Sequence, residues 1–248
     1  MTREPTITPG LSPRAIPEFD AFASRYDEAL DEGLGATGET KDYFARRRTE
    51  WLGRRLRELG ARPSVIVDFG CGTGSSVPYL LDLPGCVSVH GADISEASLA
   101  VARREQGAAN VTFGAPNDST PSESVDLAFC NGVFHHIPPA ERAGALRWIR
   151  RVLRPGGVFA LWENNPWNPG TRYIMSRVPF DRDAITITPP EARAMLRQEG
   201  FELLRTDFLF VFPAFLRWLR PIERLLIAMP VGGQYLVLAR KPAKRRNS

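Results

Sequence analysis

From residue 64 onward, short apolar runs alternate with amphipathic stretches, and this alternation constrains the fold more than any other feature of the chain. The runs are Val65–Phe69, Val87–Gly91, Val111–Phe113, Val125–Cys130, Val158–Trp162, Phe208–Phe212 and Tyr235–Ala239. Most are near-continuous in apolar residues, the pattern of strands buried on both faces. Between them Ser95–Gln106, Pro139–Leu153 and Pro190–Glu199 have helical spacing. Strand and helix in turn predict an α/β domain with a mostly parallel sheet, spanning residues 61–240.

The residues before it read differently. Pro5, Pro9, Pro13 and Pro17 interrupt residues 1–18, which are expected to form a mobile arm. Residues 19–60 are expected to form an N-terminal helical cap. Its first helix is Phe19–Leu34, broken by Gly33–Gly38, and its second begins after Thr40 as N-cap and stops at Gly60. Phe44, Trp51, Leu52, Leu56 and Leu59 supply the apolar face of the second helix. Arg46, Arg47, Arg48, Arg54, Arg55 and Arg57 are expected on its solvated face. Two stretches exceed a minimal strand–helix alternation. Residues 164–188 and 214–229 read as insertions on the substrate side, the second as a broad apolar helical stripe interrupted by Pro221.

Charge bears on the choice of partner. The 248-residue chain carries 32 basic and 28 acidic residues, a net charge of +4. Lys241, Lys244, Arg245 and Arg246 hold that whole excess in a basic tail, residues 241–248, so the body is neutral. A neutral body without an added binding module argues against a nucleic-acid partner. Cys71, Cys86 and Cys130 have no disulfide or metal spacing, which favours a reducing, cytoplasmic setting. No apolar leader is expected at the N-terminus. The longest uncharged, mainly apolar run is Phe208–Leu216, too short to span a bilayer, which leaves peripheral membrane contact open. With three histidines (His90, His135, His136) and no carboxylate cluster at ligand spacing, no metal site is expected.

The strongest local signal is Val65-Ile-Val-Asp-Phe-Gly-Cys-Gly-Thr-Gly-Ser-Ser76, where a strand meets a helix through Gly70, Gly72 and Gly74. Glycines allow a sharp turn and close approach of the backbone to a ligand. The spacing G-x-G-x-G is not that of a dinucleotide fingerprint. Asp68, two residues before the first glycine, would repel a pyrophosphate and suits a cationic group such as an amino-acid ammonium. Asp93, at the tip of the second run, is placed to accept hydrogen bonds from ribose hydroxyls, or to cap the helix at Ser95–Gln106, for which Ser95 is the better cap.

With these residues the sequence resembles the class I S-adenosylmethionine-dependent methyltransferases. The resemblance is carried by Val65–Gly74, Gly91–Ile94, Val125–Pro138 and Arg151–Gly157, in that family's order across roughly residues 60–165. Phe19–Asp27 also looks like the N-terminal helix of the ubiquinone-biosynthesis-like small-molecule subgroup. The resemblance implies a Rossmann-like seven-stranded sheet with helices on both faces and its last strand antiparallel. It implies S-adenosyl-L-methionine as cofactor, with S-adenosyl-L-homocysteine as product. Asp68 would meet the methionine ammonium, with Gly70, Cys71, Gly72 and Gly74 as the floor. Asp93 would hold the ribose and Ile94 the adenine. Asn131 and Gly132 would border the sulfonium, and Tyr26 would close over the site. An acidic residue often follows the third strand in the family; here Asn117 or Asp118 stands nearest that place.

Methyl transfer to oxygen or nitrogen can require a general base. His135 and His136 follow the fourth strand and Glu163 the fifth, at the ends where open α/β sheets bind ligands. Each has a structural alternative: a histidine fixing a loop, or Glu163 accepting backbone amides. Asn164-Asn-Pro-Trp167 reads as a turn with Trp167 as an aromatic anchor in the pocket wall, and Tyr173 follows on the same side. Together these residues predict methyl transfer to a small molecule, with a lipophilic or natural-product acceptor weighed against a nucleic-acid or protein methyltransferase and a NAD-binding or non-catalytic protein.

Overall fold

The strands are β1 (Val65–Phe69), β2 (Ser88–Ala92), β3 (Val111–Gly114), β4 (Val125–Asn131), β5 (Leu153–Asn164), β6 (Glu202–Leu209) and β7 (Gln234–Arg240). In the computed structural model, which describes residues 33–116, 120–181 and 184–243, they form one sheet in the order β3–β2–β1–β4–β5–β7–β6. Neighbours from β3 to β5 run parallel, and β7 is antiparallel to both β5 and β6. The last strand in sequence is therefore the reversed one. Strand order turns back between β1 and β4, which opens a crevice at their carboxyl ends.

The helices are α1 (Lys41–Glu58), α2 (Val77–Leu81), α3 (Glu96–Gln106), α4 (Pro139–Val152), α5 (Pro169–Arg177), α6 (Pro189–Gln198) and α7 (Glu223–Leu226). Side chains alternate along each strand, so each buried strand feeds two layers. Phe159, Leu161, Val237 and Ala239 face α4 and α6 through Leu146, Ile149, Ala192 and Leu196. Val158, Ala160, Leu236 and Leu238 face α1 and α2 through Leu52, Leu56, Val77 and Leu80. Thr40 caps α1, Ser95 caps α3, and Thr188 with Glu191 forms a capping box on α6.

Several expectations change. The mobile arm and the first cap helix fall, except at Gly33–Leu34, outside the described residues. The second cap helix is a core layer as much as a cap. Its arginines divide, because Arg48 and Arg55 are buried while Arg46 and Arg57 are exposed. The sixth strand lies earlier than its apolar run: Phe210 has φ +62°, which ends the strand at Leu209. As an edge strand it tolerates Glu202, Arg205 and Asp207, which hid it from a search for continuous apolar residues. The stripe at 214–229 is a kinked 3₁₀ helix (Ala214–Ile222) followed by the single turn of α7. Lys241 is no loose end: its Nζ donates to the Leu153 carbonyl at 2.8 Å.

Arg55 explains how α1 is fixed to the sheet edge. Its Nε and Nη2 meet Asp207 at 2.6 and 3.2 Å, and Trp51 Nε1 donates to the same carboxylate at 2.9 Å. Asp207 is 1% exposed, so removing it leaves the buried Arg55 with only the more exposed Glu58, 2.7 Å from Nη1, and leaves Trp51 Nε1 without its acceptor. Asp207→Ala should cost about 3–5 kcal/mol. Loss of the exposed Arg46–Glu50 pair, 3.9 Å apart, should cost no more than about 0.5 kcal/mol. Denaturant unfolding of the two variants measures both.

Candidate functional site

The turn after β1 sits at the head of the crevice. Gly70 has φ +72° and Gly72 φ +51°, a region that other residues enter only with strain. A Cβ at Gly70 would lie 2.2 Å from Val133 Cγ2, so the glycine permits close contact with the loop after β4. A Cβ at Gly72 would meet nothing within 4 Å, because that position faces open space. The turn is held from β2. The Gly72 N–H donates to Asp93 Oδ2 at 2.7 Å and the Ser95 N–H to Asp93 Oδ1 at 2.9 Å.

Two cavities meet here. The smaller, about 90 Å³, is walled by Gly70, Gly72, Asp93, Ile94, Ser98 and Pro116. The larger, about 390 Å³, is walled by α1 (Lys41, Tyr43, Phe44, Arg48), by α5 (Thr171, Tyr173, Ile174, Met175) and by Phe210–Pro213 with Arg220. Asn131, Gly132 and His136 belong to both. The Asn131 Oδ1 is buried without a partner at this junction, an acceptor ready for a ligand.

The predicted cofactor residues therefore gather at one place, with differences. Gly70, Gly72, Asp93, Ile94, Asn131 and Gly132 form walls. Asp68 is 3% exposed and lies beneath the turn. Burial, then the neighbouring Asp93, push its carboxyl up to about 7, against a pull downward from Arg48. Cys71 turns its sulfur toward β2, where a Cβ at Gly91 would come within 2.9 Å of it, and Gly74 packs on α3. These two support the turn rather than line it. Tyr26 and Asn117 lie outside the described residues.

The candidate bases separate. Glu163 is buried at the end of β5. Its Oε1 accepts the Phe134 N–H at 2.9 Å and its Oε2 lies 2.6 Å from His135 Nδ1. Both oxygens are engaged by the loop after β4, the arrangement of a loop anchor, and Glu163 is not among the cavity walls. His135 is buried. Burial works against its charged form, but Glu163 and Asp181 outweigh it and push the imidazole up to about 10, which favours the imidazolium over a proton acceptor. His136 is shifted down, by burial first and then by the charge on His135. Its Nε2 lies 3.2 Å from Asp181 Oδ1. Asp181, despite burial, is lowered to about 2 by the two histidines beside it, His136 Nε2 at 3.2 Å and His135 Nε2 at 3.5 Å.

Sequence reasoning missed Asp181, which stands 45 positions from His136 in an irregular segment and is brought to it only by the fold. His135, His136 and Asp181 place ligand-type atoms within 4.8 Å of one another, a grouping that the expectation of no metal-ligand cluster overlooked. Lys41 and Arg48 were also missed. They lie seven residues apart on one face of α1, with Lys41 Nζ donating to Thr73 Oγ1 (3.1 Å) and Arg48 Nε to Gln234 Oε1 (2.8 Å). The rarity of lysine in this chain was a signal available for Lys41. Trp167 was placed wrongly: it is half exposed and outside the cavity walls. The residue that secures its turn is Asn165, whose Nδ2 donates to the Pro230 and Gly232 carbonyls. Tyr173 does reach the larger cavity.

Comparison with known proteins agrees with this geometry. Residues 67–159 match the family model described as a methyltransferase domain. A trans-aconitate 2-methyltransferase from Acidovorax sp. (strain JS42) is 30% identical over 142 residues, covering 56% of this chain and 54% of that protein. The chain thus matches about half the length of such curated relatives. Among solved structures, the [4+2]-cyclase SpnF aligns over 98% of this chain and all of its own, with TM-score 0.66 and 18% identity. Burkholderia thailandensis 1,6-didemethyltoxoflavin-N1-methyltransferase, solved with S-adenosylhomocysteine, aligns over 97% of this chain and 93% of its own, with TM-score 0.58 and 20% identity. These two likenesses establish the fold. Residues 67–159 thus carry a matched methyltransferase domain, and the chain is similar in sequence and in fold to S-adenosylmethionine-dependent methyltransferases. The glycine turn, the paired carboxylates and the orphan Asn131 acceptor would suit a nucleoside bearing an amino-acid ammonium.

Asp93→Ala removes the acceptor of two backbone donors as well as the group facing the smaller cavity. It should weaken S-adenosylhomocysteine binding by about 10²-fold, as expected for charge-assisted hydrogen bonds, with the circular dichroism of the fold retained. Calorimetric titration measures the loss.

Proposed function

We propose that this protein transfers a methyl group from S-adenosylmethionine to a protic oxygen or nitrogen of a small, largely apolar molecule, with His136 as general base. One observation carries the reading. The larger cavity, walled by Phe44, Phe210, Phe212, Ile174 and Met175, joins the smaller one at Asn131, Gly132 and His136. Bound cofactor supplies a sulfonium-activated methyl group. The protein's task is then to align the acceptor for in-line displacement, exclude water and take up one proton.

The residues divide that task. Asp93 and Ile94 hold the nucleoside in the smaller cavity. Asp68 faces the ammonium from beneath the glycine turn, and Lys41 with Arg48 takes the carboxylate at the mouth of the larger one. His136, neutral at pH 7, accepts the acceptor's proton, and Asp181 steadies the imidazolium that forms. His135 is a positioning residue: clamped between Glu163 and Asp181, it fixes the loop that carries His136. The trans-aconitate and toxoflavin-precursor enzymes named above act on small molecules, which supports that acceptor class. SpnF shares the fold and is named a cyclase, so transfer itself has to be measured.

The test is transfer of isotope-labelled methyl to a panel of phenols, amines, carboxylic acids, quinone precursors and lipids. His136→Gln should lower kcat by about 10²–10⁴-fold, with a much smaller change in S-adenosylhomocysteine affinity. A variant with unchanged kcat removes His136 from the chemistry. Absence of transfer to every member, with cofactor bound, would count against the small-molecule reading.

The Asp68 assignment has its own signature. Without ligand its carboxyl titrates near 7. A bound ammonium favours the carboxylate and lowers that value, so binding releases a proton. Affinity for S-adenosylhomocysteine should rise about tenfold from pH 6 to pH 8 and level off above it. Asp68→Asn should flatten the profile.

A further inference from the structure

We propose that the segment Pro213–Val231 docks this protein on an anionic membrane surface. Its 3₁₀ helix and α7 contain no buried residue. One face does turn inward: Arg220 pairs with Glu39 at 2.6 Å and stacks on Tyr43 at the wall of the larger cavity. The other face is a stripe of large apolar side chains at helical spacing, Phe215, Trp218, Ile222 and Leu225, with Met229 and Val231 beyond. Phe215, Trp218 and Leu225 are 74%, 72% and 81% exposed. Six of the ten exposed large hydrophobic residues among those described fall in this one segment, so the exposure is a patch and not scatter.

Charge selects the occupant. Arg217 and Arg224 are exposed beside the stripe. The only acid of the segment, Glu223, is occupied within the fold, accepting the Val211 and Phe212 N–H groups at 3.0 and 2.9 Å. An isologous dimer through this face would bring like arginines together with no exposed carboxylate from the segment to pair them. A bilayer with anionic headgroups satisfies both parts: the aromatic and aliphatic side chains enter the interface while the arginines meet phosphates. Pro213 and Arg220 belong to the same segment and, with the adjacent Phe212, wall the larger cavity, so docking would bring the cavity mouth to the lipid surface. The inference does not depend on which acceptor is methylated.

The experiment is co-sedimentation of the full chain with phosphatidylcholine vesicles, with and without 30 mol% phosphatidylglycerol. Binding to the anionic vesicles is expected to exceed binding to the neutral ones by at least about tenfold and to weaken with salt. Phe215→Ser with Leu225→Ser, and separately Arg217→Glu with Arg224→Glu, should each reduce it at least about tenfold. Cofactor affinity should be unchanged in both pairs, since none of these four residues lines a cavity. No binding to anionic vesicles, equal binding to both kinds, or binding insensitive to either pair would overturn the proposal. So would a dimer in solution that Phe215→Ser with Leu225→Ser dissolves.

Discussion

The carboxylate of Asp93 joins the two turns on which the cofactor half is built. By accepting from Gly72 and Ser95 it ties the loop after β1 to the start of α3, and so sets the separation of two neighbouring strand ends. A second constraint acts from the other side, where Gly70 approaches Val133 too closely for any side chain. The glycine turn is thus held between β2 and β4. This keeps its backbone at positive φ with Asp68 buried below it. Two carboxylates stand close to the turn, with Lys41 on Thr73 and Arg48 acting on Asp68 from α1, so groups of both signs border it. Such a site favours a zwitterion with its ammonium inward over a pyrophosphate, which distinguishes it from a dinucleotide site on the same fold.

Around the junction of the cavities the same physics separates two adjacent histidines. His135 is buried and His136 largely so, which disfavours charge in each. His135 has a carboxylate near each ring nitrogen, at 2.6 and 3.5 Å, which favours its charged form; His136 shares one carboxylate and is disfavoured in its charged form by His135. Adjacent groups whose environments push their proton affinities apart can take different tasks, one holding a loop and one exchanging a proton. Glu163 makes this division possible. By accepting the Phe134 amide it also fixes the backbone from which both rings project.

What could be read from the sequence follows from the range of each interaction. Strands β1, β4 and β7 and helices α1, α3 and α4 were legible because their signals are local: apolar continuity, helical spacing, a capping side chain. The glycine turn with Asp68 and Asp93 was legible for the same reason. Edge strand β6 was not, since its outer face is polar and its apolar run continues past Phe210 into the cavity wall. The buried roles of Arg48 and Arg55 depend on Gln234 and Asp207, more than 150 positions away, and no periodicity within α1 separates them from their exposed neighbours. Asp181 and Trp167 failed together. In an irregular segment the residue that turns inward is decided by distant partners, here the two histidines for the acid and the Asn165 clamp for the tryptophan.

This division has a consequence for specificity. The matched domain, residues 67–159, contains the glycine turn, Asp93, Asn131 and both histidines. Apart from Asn131, Gly132, His135 and His136, the walls of the larger cavity come from outside it: α1, residues 164–181, Phe210–Arg220 and Gly233–Gln234. Under the proposed function, the donor would meet the short-range features of the matched domain. The acceptor would meet surfaces contributed by segments that only need to reach the same end of the sheet. Substitution there, away from Lys41 on Thr73 and from Arg48 near Asp68, can reshape the larger cavity without disturbing Asp93 or the turn it holds. A cofactor half under tight backbone constraint and an acceptor half under loose constraint is the arrangement expected of a scaffold that keeps one donor and changes its acceptors.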